Sequence, residues 1–528
     1  MLLHQIVEFA AATSRDAPAL VAGDERWTFA DLQDRVTRMA AGIGRVASPG
    51  DRVALVSDNH PAIVSALYAL PLAGTIATFA NTRHTPSELA TLFRDTDPTV
   101  VLASAAQLDR LGPALAAVGS VRSVICVDGE HPAADDDLDG LLGPASGPGA
   151  ADRTLGTEAD TDPDVCAWLI HTSGTTGRAK GAMLTHRSLL AAVENTAISR
   201  PMAQDDVYLF PFPLFHVAAY NVLHSHLRRR PVVLMQRFDA GQALRLIAEE
   251  GVTTCSLAPT MLSMLLDHPD RSPQDLTSLR QISYGASAMP LDLLRRVLRE
   301  LPDCGLAQGY GMTELSGNAV FLDPEAHRRA AAHEEHLLAA AGRPGPLVAL
   351  RIADDEGNEV SAGEAGEILV RGDQVCAGYW HAAEATEESR AGDWLRTGDV
   401  GRVDDEGFLY VVDRKKDLII SGGENVASRE VEDVLSTHVD VAHVAIVGLP
   451  DPKWGETVCA VVVAAAGAEL DPTEVIAWTD GRLAGFKRPR VVLVVEELPM
   501  NASGKIDKRL VRMLATERLG PGPGATPS

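Results

Sequence analysis

Thr-Ser-Gly-Thr-Thr-Gly-Arg-Ala-Lys-Gly, residues 172 to 181, begins one residue after the apolar run 166 to 170. A strand-sized apolar run feeding a loop of glycines and small hydroxyls that ends in a lysine has the makings of a phosphate loop. Glycines let the backbone turn so that its N–H groups converge on an anion, the hydroxyls of Thr172, Ser173, Thr175 and Thr176 add short donors, and Lys180 supplies a point charge. The order Gly-x-x-x-x-Gly-Lys-Ser/Thr is absent, so this is not a Walker A loop. A plain Ser/Thr/Gly surface loop is the alternative for the decapeptide alone. The rest of the chain decides between them.

Working outward, strand-like runs alternate with helical patterns. After residue 166 they are 207–210, 232–235, helix 240–250, 252–257, helix 260–267, 281–284 and helix 290–300; before it, 53–56, helix 62–70, 100–103 and 121–127. Such alternation builds parallel sheets covered by helices. The expected fold is therefore α/β: a large N-terminal domain of two related α/β sheet halves plus a β-rich piece, joined to a small mobile α+β C-terminal domain. The Gly-, Ala-, Pro- and Asp-rich stretch 140–164 reads as the connection between the halves. A second boundary falls near Arg414-Lys415-Lys416-Asp417, giving 1–415 and 416–518, with 519–528 as a disordered Gly/Pro tail.

The 528-residue chain carries 47 basic and 72 acidic residues, a net charge of −25, which argues against a nucleic-acid partner. Positive charge must then be concentrated wherever a polyanion binds. Six cysteines without C-x-x-C spacing and an N-terminus without a signal pattern read as a reducing, cytoplasmic protein. No apolar stretch is of transmembrane length, so any membrane contact would be peripheral.

The loop acquires partners further along. Gln308-Gly309-Tyr310-Gly311-Met312-Thr313-Glu314 puts a flat ring, two glycines, a hydroxyl and a carboxylate into one turn. Tyr310 can stack on a purine, Thr313 can donate to a phosphate, and Glu314 can hold a magnesium ion that neutralises phosphate charge. Then come Thr397-Gly398-Asp399, Asp413-Arg414-Lys415-Lys416-Asp417, Gly422-Gly423-Glu424-Asn425 and Pro499 to Ile506, with Ser503-Gly504-Lys505 near its end.

With these motifs in this order the chain resembles the adenylate-forming superfamily of acyl-CoA synthetases, luciferases and peptide-synthetase adenylation domains. It is most similar to the bacterial fatty-acyl-CoA ligases, through Pro213-Leu214-Phe215-His216-Val217-Ala218 and Gly422 to Val426. The resemblance implies an ATP- and Mg²⁺-dependent enzyme that forms an acyl-AMP from a small-molecule carboxylic acid and passes the acyl group to CoA. It implies that Thr172, Ser173, Gly174, Thr175, Thr176, Gly177 and Lys180 close over the β- and γ-phosphates, and that Gly285, Ala286 and Ser287 border the adenine with Gly309 to Met312. Asp399 would hold the ribose hydroxyls with Arg414, Thr313 and Glu314 would serve the phosphates and metal, and Lys505 would be the catalytic lysine. A mobile ammonium bridging an attacking carboxylate and the α-phosphate stabilises the charge that develops there. Lys416 occupies the hinge position, Gly422, Gly423 and Glu424 would approach the pantetheine thiol, and His216 would gate its tunnel.

Two positions depart from the family pattern. Ala179 and Ser428 stand where proline is usual, and each is expected to loosen a loop without removing a charged contact. The acid pocket is the open question. Tyr220, Asn221 and His224 fall within one helical sector. If it faces outward, a medium- or long-chain fatty acid fits, the leading expectation. If it faces inward, an alkyl chain would leave polar groups unsatisfied, and an aromatic or functionalised acid becomes the substrate. A carrier-protein thiol or a nitrogen nucleophile is the alternative acceptor, and a nucleotide sensor without turnover the non-enzymatic alternative.

Three further signals are discounted. Gly42-x-Gly44-x-x-Ala47 follows a helical pattern instead of a strand, and His333-Glu-Glu-His336 lacks zinc spacing. Arg228-Arg229-Arg230 reads as a cationic helix end in preference to a membrane patch.

Overall fold

A computed structural model describes residues 1–144, 162–172, 179–272, 275–285, 287, 289–421, 424–500 and 506–519. The large N-terminal domain is built on two mainly parallel sheets. The seven-stranded sheet has Arg52–Val56 near its middle, flanked by Ile76–Phe79 and Val100–Ala103. In the nine-stranded sheet, Tyr208–Phe210, Thr254–Leu257, Gln281–Gly285 and Gly305–Met312 pair side by side in parallel.

The helices Phe29–Val46, Pro61–Leu72, His186–Ser199 and Tyr220–Leu227 supply much of the core between the sheets, together with Trp168, Phe210 and Leu234. Pro61–Leu72 is buried from Pro61 to Pro71 because both sides meet protein, which matches a sequence apolar except at Ser65. Leu209, Cys255, Ile282 and Leu306 point the other way, into a second core under the outer helices. This alternation along each strand gives the nine-stranded sheet two differently occupied faces.

The boundary between the halves differs from the one the sequence suggests at 140–164. Cys166–Thr172 pairs in parallel with Ile76–Phe79, so it and Lys180–Thr185 belong to the first sheet. Conversely, the N-terminal hairpin Pro18–Ala22 and Glu25–Thr28 joins the second sheet by pairing with Val232–Leu234. Each sheet thus contains strands from both stretches, and strand partnership over such separations leaves no local signature.

The β-rich piece is a five-stranded sheet of Ala349–Ala353, Gly366–Arg371, Arg390–Ala391, Trp394–Val403 and Leu409–Arg414. The C-terminal domain is α+β. Val441–Asp451 and Gly455–Ala464 form its central hairpin, Val491–Val495 adds in parallel, and helices Ser428–Leu435 and Pro472–Trp478 cover it. The helix Lys508–Leu519 packs on the opposite face through Val511 and Ala515, a helix the sequence reading did not anticipate. The expected tail from 520 onward lies outside the described residues.

Gly42 and Gly44 lie inside the helix Phe29–Val46, where a Cβ on Gly42 would meet the Leu141 carbonyl oxygen at 2.2 Å; close packing explains the glycine. Among the described residues no helix is long and apolar enough to cross a membrane, and no group of three or more His, Cys, Asp or Glu could hold a metal ion. All six cysteines are free.

Candidate active site

Thr172 ends one strand and Lys180 begins the next, and the two are antiparallel cross-strand partners. Ser173 to Gly177 lie outside the described residues. The strand Lys180–Thr185 is bound on its other side by the chain around Tyr379: Met183 N donates to Gly378 O (2.9 Å), and Trp380 N donates to Gly181 O (2.8 Å). Tyr379 is thereby placed beside the base of the loop, with Lys180 Nζ 5.2 Å from its ring centroid.

Glu314 lies across from this strand pair in the 3₁₀ turn Thr313–Leu315 and is buried. Its Oε1 accepts from the Tyr379 hydroxyl at 2.9 Å and lies 3.3 Å from Thr172 Oγ1. Residues from three separate stretches therefore meet at one carboxylate oxygen. Burial, then the neighbouring Glu314 charge, raises the Tyr379 phenol, so it remains a donor at neutral pH. The turn is fixed from below by Ser316 Oγ, which donates to Ser188 Oγ at 2.9 Å, with Ser316 in the left-handed region at φ 55°.

The other oxygen, Glu314 Oε2, makes no hydrogen bond among the described residues. One carboxylate without other metal-ligating side chains nearby suits a magnesium ion that takes its remaining ligands from phosphates and water. Thr313, half-buried beside it, keeps its side chain at the mouth of the site.

Gly309, Tyr310, Gly311 and Met312 end the strand Gly305–Met312, beside Gly285 at the end of its parallel neighbour. A Cβ on Gly311 would come within 2.0 Å of Gly317 O, and one on Gly309 within 2.1 Å of Asn318 Nδ2; this is why glycine stands at both. Ser287 is exposed beyond the strand end, and Ala286 lies outside the described residues.

Tyr310 donates its hydroxyl to Asp399 Oδ2 at 2.7 Å. Asp399 and Arg414 are cross-strand partners, and Arg414 Nε stands 3.5 Å from Asp399 Oδ1. Burial raises the Asp399 carboxyl, and the Arg414 guanidinium opposes that rise. The arrangement brings a buried carboxylate and an adjacent cation, both from the antiparallel sheet, to a partly exposed aromatic ring near the end of a parallel strand, where α/β sheets bind ligands.

His216 precedes a single 3₁₀ turn, Val217–Ala219, before the helix Tyr220–Leu227, and its ring lies 4.9 Å from that of Phe215. Every residue from Tyr220 to His226 is buried, so the outward orientation of the Tyr220, Asn221 and His224 sector does not occur. Their polar atoms meet other protein groups. Tyr220 Oη accepts from Thr196 at 3.3 Å, Asn221 Oδ1 accepts from Arg200 at 2.6 Å, and His224 Nδ1 lies 3.4 Å from Arg200 Nη2. Burial, reinforced by Arg200, holds the His224 imidazole neutral.

Lys416 is exposed in the turn after Leu409–Arg414. Glu424 is exposed at the start of Glu424–Val426; Gly422 and Gly423 lie outside the described residues. Lys505 does too, in a segment bracketed by the antiparallel bridge between Met500 and Ile506.

Ser428 corrects the expectation of a loosened loop. Both its backbone N–H and its Oγ donate to Asp413 Oδ2, at 2.6 and 2.7 Å, and Lys508 Nζ contacts Ser428 Oγ while pairing with Glu432 at 2.8 Å. A proline there could make neither donation.

Sequence reasoning missed Tyr379 and Arg200. An aromatic pair after Gly378, which has φ 135°, was the available signal for the first; Arg200 is an ordinary helix-end cation until the fold brings Asn221 and Ser256 to it.

Residues 7–380 match the model of the AMP-binding enzyme family, and residues 430–505 match that of the AMP-binding enzyme C-terminal domain. A feruloyl-CoA synthase of an Amycolatopsis species is 39% identical over 95% of this chain and 96% of its own length. A Mycobacterium tuberculosis 3-[(3aS,4S,7aS)-7a-methyl-1,5-dioxo-octahydro-1H-inden-4-yl]propanoyl:CoA ligase is 38% identical over 94% and 96%. The medium/long-chain-fatty-acid–CoA ligase FadD8 of the same organism is 33% identical over 96% and 89%. Among solved structures, the o-succinylbenzoate CoA synthetase MenE of Bacillus subtilis, in complex with its acyl-adenylate intermediate, superposes with a TM-score of 0.82 at 31% identity, covering 99% of each chain. By these matches the chain belongs to the AMP-binding enzyme family of the adenylate-forming superfamily and is an ATP-dependent, AMP-forming acid–CoA ligase.

Proposed function

We propose that the acid is a ring-bearing carboxylic acid with polar substituents, activated as its acyl-adenylate and transferred to the thiol of CoA. The observation that carries this reading is the burial of Tyr220, Asn221 and His224 in the helix after His216, with His224 Nε2 left without a partner among the described residues. A long alkyl chain beside that nitrogen would leave it unsatisfied, whereas a polar substituent could pair with it. The names of two relatives, a feruloyl-CoA synthase and a dioxo-octahydroindenyl-propanoyl ligase, describe acids of this kind. A medium- or long-chain fatty acid is the second reading, favoured by the likeness to FadD8.

In this account the segment from Thr172 to Lys180 holds the β- and γ-phosphates, and Asp399 with Arg414 holds the ribose beside Tyr310 and Gly285. Glu314, its Oε1 fixed by Tyr379, presents Oε2 to a magnesium ion, which when bound would neutralise phosphate charge. The acid's carboxylate attacks the α-phosphorus and pyrophosphate leaves, while Lys505 stabilises the charge shared by the two anions. The small domain, 416–518, then turns about Lys416 relative to 1–415, bringing Gly422, Gly423 and Glu424 to the pantetheine arm. His216 opens its path, the thiol sulfur attacks the acyl carbon, and AMP leaves.

The test is a competition in one vessel. Purified protein, ATP, Mg²⁺ and CoA receive equimolar hydroxycinnamic acid and dodecanoic acid, and the thioesters are quantified by mass spectrometry. Predominance of the hydroxycinnamoyl thioester supports the ring-acid reading; predominance of dodecanoyl-CoA establishes the second. A parallel reaction with a carrier protein in place of CoA tests the acceptor, and acylation of the carrier in preference to CoA would overturn that part.

A further inference from the structure

Arg200 caps the helix His186–Ser199 and reaches beneath the helix that follows His216. Its Nη2 donates to Asn221 Oδ1, and its Nη1 donates at 3.3 Å to Ser256 Oγ, which also accepts from the Tyr208 hydroxyl at 2.9 Å. All of these acceptors are neutral. Among the described residues no carboxylate lies within ion-pairing distance of Arg200, whereas nearby Arg280 pairs with both Asp205 and Asp206. A half-buried guanidinium has five donors in a rigid fork, and neutral partners leave both charge and donors uncompensated.

His224 adds to the surplus. Its Nδ1 faces the Arg200 donor and so acts as acceptor, which leaves the proton of the neutral ring on Nε2. That Nε2 is buried without a partner among the described residues. Thr254 Oγ1 on the facing strand is likewise unpartnered. Arg200, Tyr208, Thr254 and Ser283 line a narrow cleft whose interior admits about one water-sized group.

The position suits a ligand lying along the sheet. Ser256 and Ser283 are register partners on the face that carries Gly285. At about 3.3 Å per residue, Ser283 lies roughly 7 Å down the strand from Gly285 at the nucleotide end. Ser283 also lines the cleft, so the cleft lies on the sheet face whose end carries Gly285, along which an acid can extend from the nucleotide end.

We infer that Arg200 reads the far end of the acid: the substrate is a ring-bearing acid with a hydrogen-bond-accepting oxygen remote from its reacting carboxylate, an anionic oxygen being preferred to a neutral one. This rests on the ring-acid reading proposed above.

The experiment compares kcat/KM for pyrophosphate release with three matched acids: 3-phenylpropanoate, 3-(4-hydroxyphenyl)propanoate and 3-(4-carboxyphenyl)propanoate. For the unaltered protein the two oxygen-bearing acids should exceed the plain one by about tenfold or more, the carboxylate most, since a site built to donate hydrogen bonds discriminates against an analogue lacking the acceptor. In Arg200→Met the ratios should collapse towards one, chiefly through KM, and Arg200→Lys should restore part of the preference for the carboxylate. Melting temperatures report whether the variants fold, and the comparison in the unaltered protein stands without them. Equal use of all three acids by the unaltered protein, or a proportional loss on all three in Arg200→Met, would overturn the assignment and leave the ring-acid reading intact. Turnover of alkyl acids with none of the three would remove both.

Discussion

The Tyr379 hydroxyl donates to Glu314 Oε1 at 2.9 Å, joining the edge of the first sheet to the turn at the end of the second. The pair leaves Oε2 as the oxygen offered to a metal, and it sets the orientation of that oxygen by a single O–H. Tyr379→Phe removes the hydrogen bond and keeps the ring beside Lys180. Hydrogen bonds to charged groups contribute about 1.5–3 kcal/mol, so pyrophosphate release should slow by roughly ten- to a hundredfold, with the Mg²⁺ concentration for half-maximal rate raised. Unchanged Mg²⁺ dependence would show that Tyr379 does not position the carboxylate.

Asp399 gives a pH signature. Its carboxyl is raised by burial, against the pull of Arg414, and ribose hydroxyls are best held by the ionised form. KM for ATP should therefore rise on acidification at a pH above the ordinary carboxylate range, and Asp399→Asn should raise KM at neutral pH and flatten the profile. The measurement is initial rate against ATP from pH 5 to 8.

Three buried histidines predict acid lability. Burial lowers His186, His226 and His327 each to about 4. The unfolded chain then binds more protons between about pH 6.5 and 4, so stability falls as pH drops through that window and is fully present above it. The loss is on the order of 3 kcal/mol per histidine at the low end. Denaturant unfolding at pH 7 and pH 5 should show a lower midpoint at pH 5, and a pH-independent midpoint would contradict it.

How much of this was legible beforehand depended on whether the deciding interaction was local. The apolar runs at 53–56 and 100–103 announced their strands because burial on both faces leaves uninterrupted apolar sequence. Gln308 to Glu314 read as one turn, whereas Gly309 to Met312 end a strand and only Thr313–Leu315 turn, because a glycine-rich sequence is compatible with both. Exchange of the edge hairpin Pro18–Thr28 into the second sheet was not legible, since it depends on pairing Leu20 with Val232. Tyr379 and Arg200 look ordinary until Glu314, Asn221 and Ser256 arrive from distant stretches. Ser428 was misjudged because a missing proline reads as lost rigidity, while its gained donors matter only once Asp413 is opposite.

That last pair yields its own prediction. Ser428→Pro removes both donors to the buried Asp413 Oδ2 and leaves that oxygen unsatisfied, while Oδ1 keeps the Arg414 N–H. An unsatisfied buried acceptor costs about 1–3 kcal/mol, so thermal unfolding should shift down by several degrees, with Ser428→Ala, which keeps the N–H, falling between. A melting temperature equal to that of the unaltered protein would show that the contact contributes nothing.

The most direct test of the whole account separates the two half-reactions in Lys505→Ala. Pyrophosphate release with ATP, Mg²⁺ and acid should fall by about a hundredfold or more, while ATP still binds and a supplied acyl-adenylate is still converted to acyl-CoA on addition of CoA. Pyrophosphate release at the unaltered rate, or equal loss of both half-reactions, would contradict an adenylation step carried by Lys505 ahead of a separate thiol transfer.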